Sequence, residues 1–100
     1  MAKKYVNINS TTTELLASTD KQQTGTIKSI NIANTNANTA SVINLYLDDL
    51  NSANDYYFFK NLNLPAGSSL FLDKGLSFDI SKYTLKLEAS GTTNLTVIIT

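Results

Sequence analysis

The chain has 100 residues, of which 42% are hydrophobic, and its eight lysines are balanced by eight acidic residues. This length suits one domain with its own core, and the balanced charge provides neither a basic stripe for nucleic acid nor a cationic cluster for an anionic membrane. Cysteine and histidine are absent, which excludes disulfides and thiolate metal sites and removes the commonest general base. We therefore expect a single domain over residues 1–100 that is not an enzyme and holds no cofactor.

The start of the chain and its apolar runs predict where the protein is made. Met1 to Lys4 leads into a polar segment rather than the apolar run of a signal peptide. No stretch approaches the roughly 20 apolar residues that cross a bilayer. We expect synthesis in a cytoplasm and no association with a membrane.

The first predicted strand covers Lys3–Asn9. Polar and apolar residues alternate there with period two, which is the pattern of a strand with one face buried. Val6 and Ile8 lie on one face and Tyr5 on the other. We expect residues 1–9 to form either an arm that pairs with a neighbouring subunit or an edge strand of the domain's own sheet. A short second strand is predicted after the next turn.

Two further strands, Thr26–Ala33 and Ser41–Leu47, are predicted to pair as a hairpin. The asparagine-rich segment Asn34–Asn38 between them is typical of a turn, because asparagine tolerates positive φ and bonds to its own backbone. The isoleucines of the first strand fall out of phase with one another, which indicates a bulge near Lys28.

The segment Asp48–Asp55 is predicted to be the longest polar loop. Its carboxylates, from Asp48, Asp49 and Asp55, and its amides are the oxygen ligands that a hard cation such as Ca²⁺ prefers. The loop lacks the ligand spacing and terminal glutamate of an EF-hand, and Asp and Asn are common in turns. We expect no bound metal and a solvated turn, with these three carboxylates as a weak candidate site.

The segment Tyr56–Leu64 is predicted to be a strand that opens with four aromatic residues, two on each face. Phe58 is assigned to the core. Tyr57 and Phe59 then face a protein partner, a second buried layer or a sugar, and exposed aromatic surface is typical of protein interfaces. The predicted interface residues are Tyr5, Val6, Ile8, Tyr57 and Phe59.

The second half of the chain carries a turn at Pro65–Gly67 and four more short alternating segments. About seven to nine short strands, with turns roughly every 8–12 residues, predict an all-β antiparallel β-sandwich of jelly-roll-like form. The predicted core residues are Ile30, Ile32, Leu45, Leu47, Phe58, Leu85, Leu87, Val97 and Ile99.

Two runs of sequence resemble small β-sandwich structural proteins of bacteriophage virions. The first is TGTIKSINIANTNANTASVINLYLDD, with a strand of the type IKSIxIxN. The second is KNLNLPAGSSLFLDKGLSFDISKYTLKLEASGTTNLTVIIT, with a PAG turn, a KLxAS strand and a final aliphatic strand. The resemblance covers about Thr24 to Thr100. Before Thr24 the chain departs from the family, which often has another PAG turn where this chain has Ser18–Gln23.

The resemblance implies a protein of the virus particle, such as a capsid decoration, neck, tail or fibre component. Its partners would be other virion proteins, either the major capsid protein or neck and tail subunits, and it would be a homo-oligomer or bound to a lattice. The protein would be made in the host cytoplasm and reside in the virion. The favoured function is a capsid decoration or cement protein. The alternative is a carbohydrate- or receptor-binding module of a fibre or neck appendage.

Overall fold

The chain forms short strands joined by turns over the residues that the computed structural model describes, which are 4–9, 11–17, 26–73, 75–90 and 94–100. None of these segments is a helix able to cross a membrane. The strands are β1 (Lys4–Ile8), β2 (Thr12–Leu16), β3 (Thr26–Ile27), β4 (Ile30–Asn34), β5 (Ser41–Asp49), β6 (Asp55–Leu64), β7 (Ser69–Leu72), β8 (Leu76–Ser77), β9 (Tyr83–Ala89) and β10 (Leu95–Ile99).

Two four-stranded antiparallel sheets make up most of the structure. Sheet A has the strand order β1-β10-β4-β7, and sheet B has the order β2-β9-β5-β6. The two-residue strands β3 and β8 pair as a separate small sheet. These two short strands bring the number of described strands to ten, slightly more than predicted.

The strand pairing follows one rule along the chain. β1 pairs with β10, β2 with β9, β3 with β8, β4 with β7 and β5 with β6. The strands therefore pair as in one long hairpin with its tip between β5 and β6. This hairpin is folded over, so that β10 also pairs with β4 and β9 also pairs with β5. This is the strand order of a double-sheet jelly roll, and the predicted fold class is confirmed.

The core lies between the two sheets, because each strand turns alternate apolar side chains inward. Sheet A contributes residues from β1, β4 and β10, and sheet B contributes residues from β2, β5, β6 and β9. The buried cluster comprises Ile8, Leu15, Leu16, Ile27, Ile30, Ile32, Ile43, Leu45, Leu64, Leu85, Leu87, Ala89, Leu95, Val97 and Ile99. Most of the predicted core is confirmed, and Leu47 is only half-buried.

The predicted hairpin between the segments Thr26–Ala33 and Ser41–Leu47 is wrong. β4 belongs to sheet A and β5 to sheet B, so the asparagine-rich segment crosses from one sheet to the other. Alternating residues bury one face of a strand equally well in a hairpin and in such a crossing, so the local pattern does not distinguish them.

The assignment of Phe58 to the core is also wrong, because its side chain is 40% exposed. The pairing of β5 with β6 shifts register twice, once between Ile43 and Leu45 and again between Leu45 and Tyr46. Each shift adds a residue to β6 and reverses the faces of the side chains beyond it. Phe59 therefore turns inward and Phe58 turns outward.

The out-of-phase isoleucines near Lys28 mark a real break between β3 and β4. The backbone N–H groups of Lys28 and Ser29 both donate to the carbonyl oxygen of Thr100, at 2.7 and 3.3 Å. Because two successive N–H groups share one carbonyl oxygen, this segment has one more residue than the strand beside it, which is the arrangement of a β-bulge. Ile27 and Ile30 are both buried as a result.

Candidate functional site

The open side of the sandwich, between the edge strands β6 and β7, carries an apolar cleft of about 340 Å³. Two phenylalanines at its mouth are well exposed, Phe58 at 40% and Phe71 at 60%. The lining residues are Phe58, Phe59, Phe71, Leu72, Asp73 and Leu76. Exposed aromatic side chains beside a half-buried apolar floor are the usual anchors of a protein interface.

The opposite side of the sandwich has β1 and β2 as its edge strands. The Lys4 ammonium donates a hydrogen bond of 2.6 Å to the carbonyl oxygen of Leu15 and so connects the two sheets. A register shift between Glu14 and Leu16 turns both Leu15 and Leu16 into the core. The two sides of the sandwich therefore differ: the described part of the β1–β2 side has a hydrogen bond between the sheets, whereas the β6–β7 side has a cleft with exposed phenylalanines at its mouth.

Tyr57 and Phe59, the predicted interface residues of β6, lie in different places. Tyr57 is 42% exposed on the outer face of sheet B, where its ring centroid is 5.1 Å from that of Tyr46. The Lys60 ammonium lies 4.8 Å from the centre of the Tyr57 ring, within range of a cation–π interaction. Phe59 is half-buried and lines the cleft.

The three predicted interface residues of β1 also occupy different positions, and they do not form one surface. Tyr5 is 68% exposed on the outer face of sheet A, and Val6 is half-buried against the core. Ile8 is only 2% exposed and packs in the core, so no partner can reach it in this structure. Within the described residues 4–9, β1 is an edge strand of the domain's own sheet and pairs with β10 along its length, while residues 1–3 of the predicted arm lie outside the described residues.

Phe71 is the functional candidate that sequence reasoning missed. It stands between Leu70 and Leu72, which turn inward, so the period-two pattern itself places Phe71 on the outer face. A phenylalanine at an outward position of an uncharged strand is the signal that could have identified it. Phe58 went unrecognised because the two bulges of β6 are not visible in its sequence.

The outer face of sheet B is polar and internally paired. The Lys86 ammonium lies 2.7 Å from a carboxylate oxygen of Asp48, and this hydrogen bond raises the pKa of Lys86. Burial, aided by the nearby Glu88 carboxylate, raises the pKa of Tyr46. These contacts order the centre of the face.

A depression of about 430 Å³, lined by polar side chains together with Val42 and Ala89, lies at one end of this face. Asn44 donates from its amide to Glu88 at 2.7 Å and accepts from the backbone N–H of Asn61 at 2.6 Å. Asn61 has a φ of 57°, a left-handed conformation that asparagine tolerates, and it lies at the register shift between Ile43 and Leu45. The depression therefore presents amide and carboxylate groups in fixed orientations.

The three carboxylates of the weak cation candidate do not converge. Asp48 is paired with Lys86, whereas Asp49 accepts from the Asn51 backbone N–H at 2.9 Å and the Ser52 hydroxyl at 3.0 Å. Asp48 and Asp49 end β5 and Asp55 begins β6, so the loop itself is shorter than predicted. No group of three or more metal-ligating side chains occurs within the described ranges of the chain.

A scan against protein-family models finds no match, and no curated protein is similar in sequence.

Proposed function

We propose that this protein is a non-enzymatic structural protein of a bacteriophage virion, a capsid decoration or cement protein that docks on a repeating lattice. The observation that carries the proposal is the uncovered aromatic cleft on one side of an otherwise well-packed jelly roll. Contacts with other virion subunits or with copies of the same chain would cover Phe58 and Phe71 and stabilise the particle by the area they bury.

Three features support this proposal together. The jelly-roll strand order is common among viral capsid domains. The surface offers aromatic anchors and a polar surround with little charge, which suits association without chemistry. The turn and core patterns from Thr24 to Thr100 resemble those of small virion proteins.

The experiment is the incorporation of variants into phage particles. Phe58→Ser and Phe71→Ser each remove an exposed anchor, and we expect both proteins to fold but to be depleted from purified particles. The matched control is Val42→Ser, because Val42 is similarly exposed but lies away from the cleft. Quantitative mass spectrometry of the particles measures the copy number of each variant.

The same measurement separates lattice decoration from an appendage. A decoration protein occurs in a copy number proportional to that of the major capsid protein, whereas a fibre or neck module is present in few copies. If the copy numbers of Phe58→Ser and Phe71→Ser in particles equal that of Val42→Ser, the cleft is not the docking surface. If the chain is absent from particles altogether, the proposed function is wrong.

A carbohydrate-binding module is the second candidate, and the depression on the outer face of sheet B favours it. Jelly rolls include lectin domains, and the oriented amide of Asn44 and carboxylate of Glu88 suit the hydroxyls of a sugar. A glycan array probed with the intact protein tests this function. Binding that is lost in Asn44→Ala and kept in Phe71→Ser would establish it in place of docking through the cleft.

A further inference from the structure

We infer that the occupant of the open β6–β7 side is a second copy of this chain, whose β1 strand lies beside β7 and continues sheet A from one molecule to the next. The inference rests on the proposed function, because it names the partner of the same aromatic surface. It specifies a head-to-tail contact, in which the β1–β2 side of one copy meets the β6–β7 side of another.

The direction of the strands permits this contact. Sheet A is antiparallel and has four strands, so its two edge strands, β1 and β7, run in opposite directions. A second copy placed beside the first in the same orientation therefore brings β1 antiparallel to β7. Both strands are free of bulges in their pairing within sheet A, and neither contains proline. Edge strands of this kind are the ones that natural proteins otherwise cover.

The register of sheet A brings two exposed aromatic residues together. Tyr5, Ile98, Asn31 and Phe71 form one row across the four strands on the outer face. Tyr5 and Phe71 occupy the two ends of this row and are the most exposed of the large hydrophobic residues in the described structure. A second copy in straight register places its Tyr5 directly beside Phe71, as a cross-strand aromatic pair.

The neighbouring rows match as well. Val6 and Leu70 end the next row on the inner face, and both are half-buried against their own core. Asn7 and Ser69 end the row beyond it on the outer face, and both are exposed polar residues. The contact therefore joins apolar with apolar and polar with polar positions, and Val6 of the second copy lies over the cleft.

Charge is complementary across the same contact. On sheet B, the outer-face row that begins at Glu14 ends at Tyr57, whose ring lies under the Lys60 ammonium. The carboxylate of Glu14 on the second copy thus faces the Lys60 ammonium on the first.

A two-fold contact through β7 or β6 leaves the β1 edge and Tyr5 uncovered, whereas the head-to-tail contact covers both edges of sheet A. Head-to-tail contacts close into rings or extend as filaments according to the rotation between neighbours. Either arrangement would link copies edge to edge over a particle surface.

Disulfide trapping tests the inference, since the chain has no cysteine of its own. Tyr5→Cys and Phe71→Cys are prepared as separate proteins and mixed under oxidising conditions. Directly opposed residues on antiparallel strands have Cα atoms about 4.5–5.5 Å apart, within the range that a disulfide spans. We expect a disulfide-linked dimer in the mixture, several-fold more abundant than in either protein alone.

A second pair tests the register and keeps both aromatic residues. Residues 7 and 69 lie in a matched row, so a mixture of Asn7→Cys and Ser69→Cys should also form a disulfide-linked dimer. In a mixture of Tyr5→Cys and Ser69→Cys, the two cysteines are offset by two residues, about 6.8 Å along the strand. This mixture should form several-fold less disulfide-linked dimer. All these positions are exposed, so the substitutions should leave the fold intact, which circular dichroism verifies.

Each result decides a definite point. If Phe71→Cys alone gives as much disulfide-linked dimer as the mixture with Tyr5→Cys, the contact is a two-fold one through β7. If neither matched mixture gives a linked dimer, β1 does not pair with β7. Either outcome overturns the head-to-tail inference. The proposed function is measured separately, by the copy number of Phe58→Ser and Phe71→Ser in particles, so it can survive that failure.

Discussion

The side-chain amide of Asn34 donates a hydrogen bond of 3.0 Å to the backbone carbonyl of Leu64, and this buried bond joins sheet A to sheet B. The same amide nitrogen donates to the carbonyl of Thr39, and the Asn34 side-chain oxygen accepts from the backbone and side chain of Asn36 at 2.9 Å. Asn34 is only 2% exposed, so these bonds satisfy a polar group inside the structure. It therefore holds the turn between β4 and β5 against the end of β6.

Replacing Asn34 with alanine should lower the free energy of unfolding by more than about 2 kcal/mol. Each buried polar group left without a partner costs about 1–3 kcal/mol, and the change removes the partner of two carbonyl oxygens. Urea denaturation followed by circular dichroism measures the effect.

The matched control is Ser41→Ala, because the Ser41 hydroxyl oxygen is buried and has no hydrogen-bond partner among the described residues. Removing a group that makes no bond should leave stability unchanged or raise it by up to about 1 kcal/mol. Equal losses in the two variants would contradict the role assigned to Asn34.

Leu87→Ala should destabilise the protein by about 2–5 kcal/mol, as expected for a leucine at the centre of a core. Leu87 is 0% exposed and faces the opposite sheet from β9. The control is Leu50→Ala, since Leu50 is exposed in the loop between β5 and β6 and should change stability by less than about 0.5 kcal/mol. A change that small at Leu87 would mean that the faces of β9 are assigned wrongly.

Stability should fall at alkaline pH, above about pH 10, where free tyrosine and lysine side chains titrate. Burial raises the pKa of Tyr46, and the hydrogen bond to Asp48 raises the pKa of Lys86. For both groups the unfolded chain loses its proton first, so the stabilisation is complete below the unfolded pKa and disappears as pH rises through the folded pKa.

The variant Tyr46→Phe tests the tyrosine contribution, because it removes the titrating hydroxyl and keeps the ring. Its free energy of unfolding should decline less steeply than that of the wild type between about pH 9 and pH 11. Lys86→Met should reduce the decline in the same way. Unchanged slopes in both variants would show that neither group links folding to alkaline pH.

Dialysis against a chelator should leave the melting temperature unchanged. A cation that binds only the folded protein raises its stability, so removing such a cation would lower the melting temperature. Differential scanning calorimetry before and after chelation, with Ca²⁺ added back, is the measurement. A fall of several degrees that Ca²⁺ reverses would establish a site, and Asp48, Asp49 and Asp55 would be its first candidates.

The buried faces of strands without bulges between their inward residues, such as β9 and β10, were predictable from the sequence. In β9, Leu85 and Leu87 point inward and Lys86 points outward, and in β10 Val97 and Ile99 are buried, all as expected. This works because the side chains of a strand alternate by geometry, so a period-two pattern identifies the buried face without reference to any other strand. The all-β class and the sandwich follow from the same local information.

Strand pairing and the candidate site were decided only in the tertiary structure. The crossing between β4 and β5, the two bulges that expose Phe58, and the inter-sheet bond of Asn34 all depend on contacts between residues distant in sequence. The cleft likewise exists because β6 and β7 are the edges of different sheets on the same side of the sandwich. The alternation of polar and apolar residues shows which face of a strand is buried. It does not show which strand lies beside it, because an inward-facing apolar side chain can pack equally well beside many different apolar neighbours.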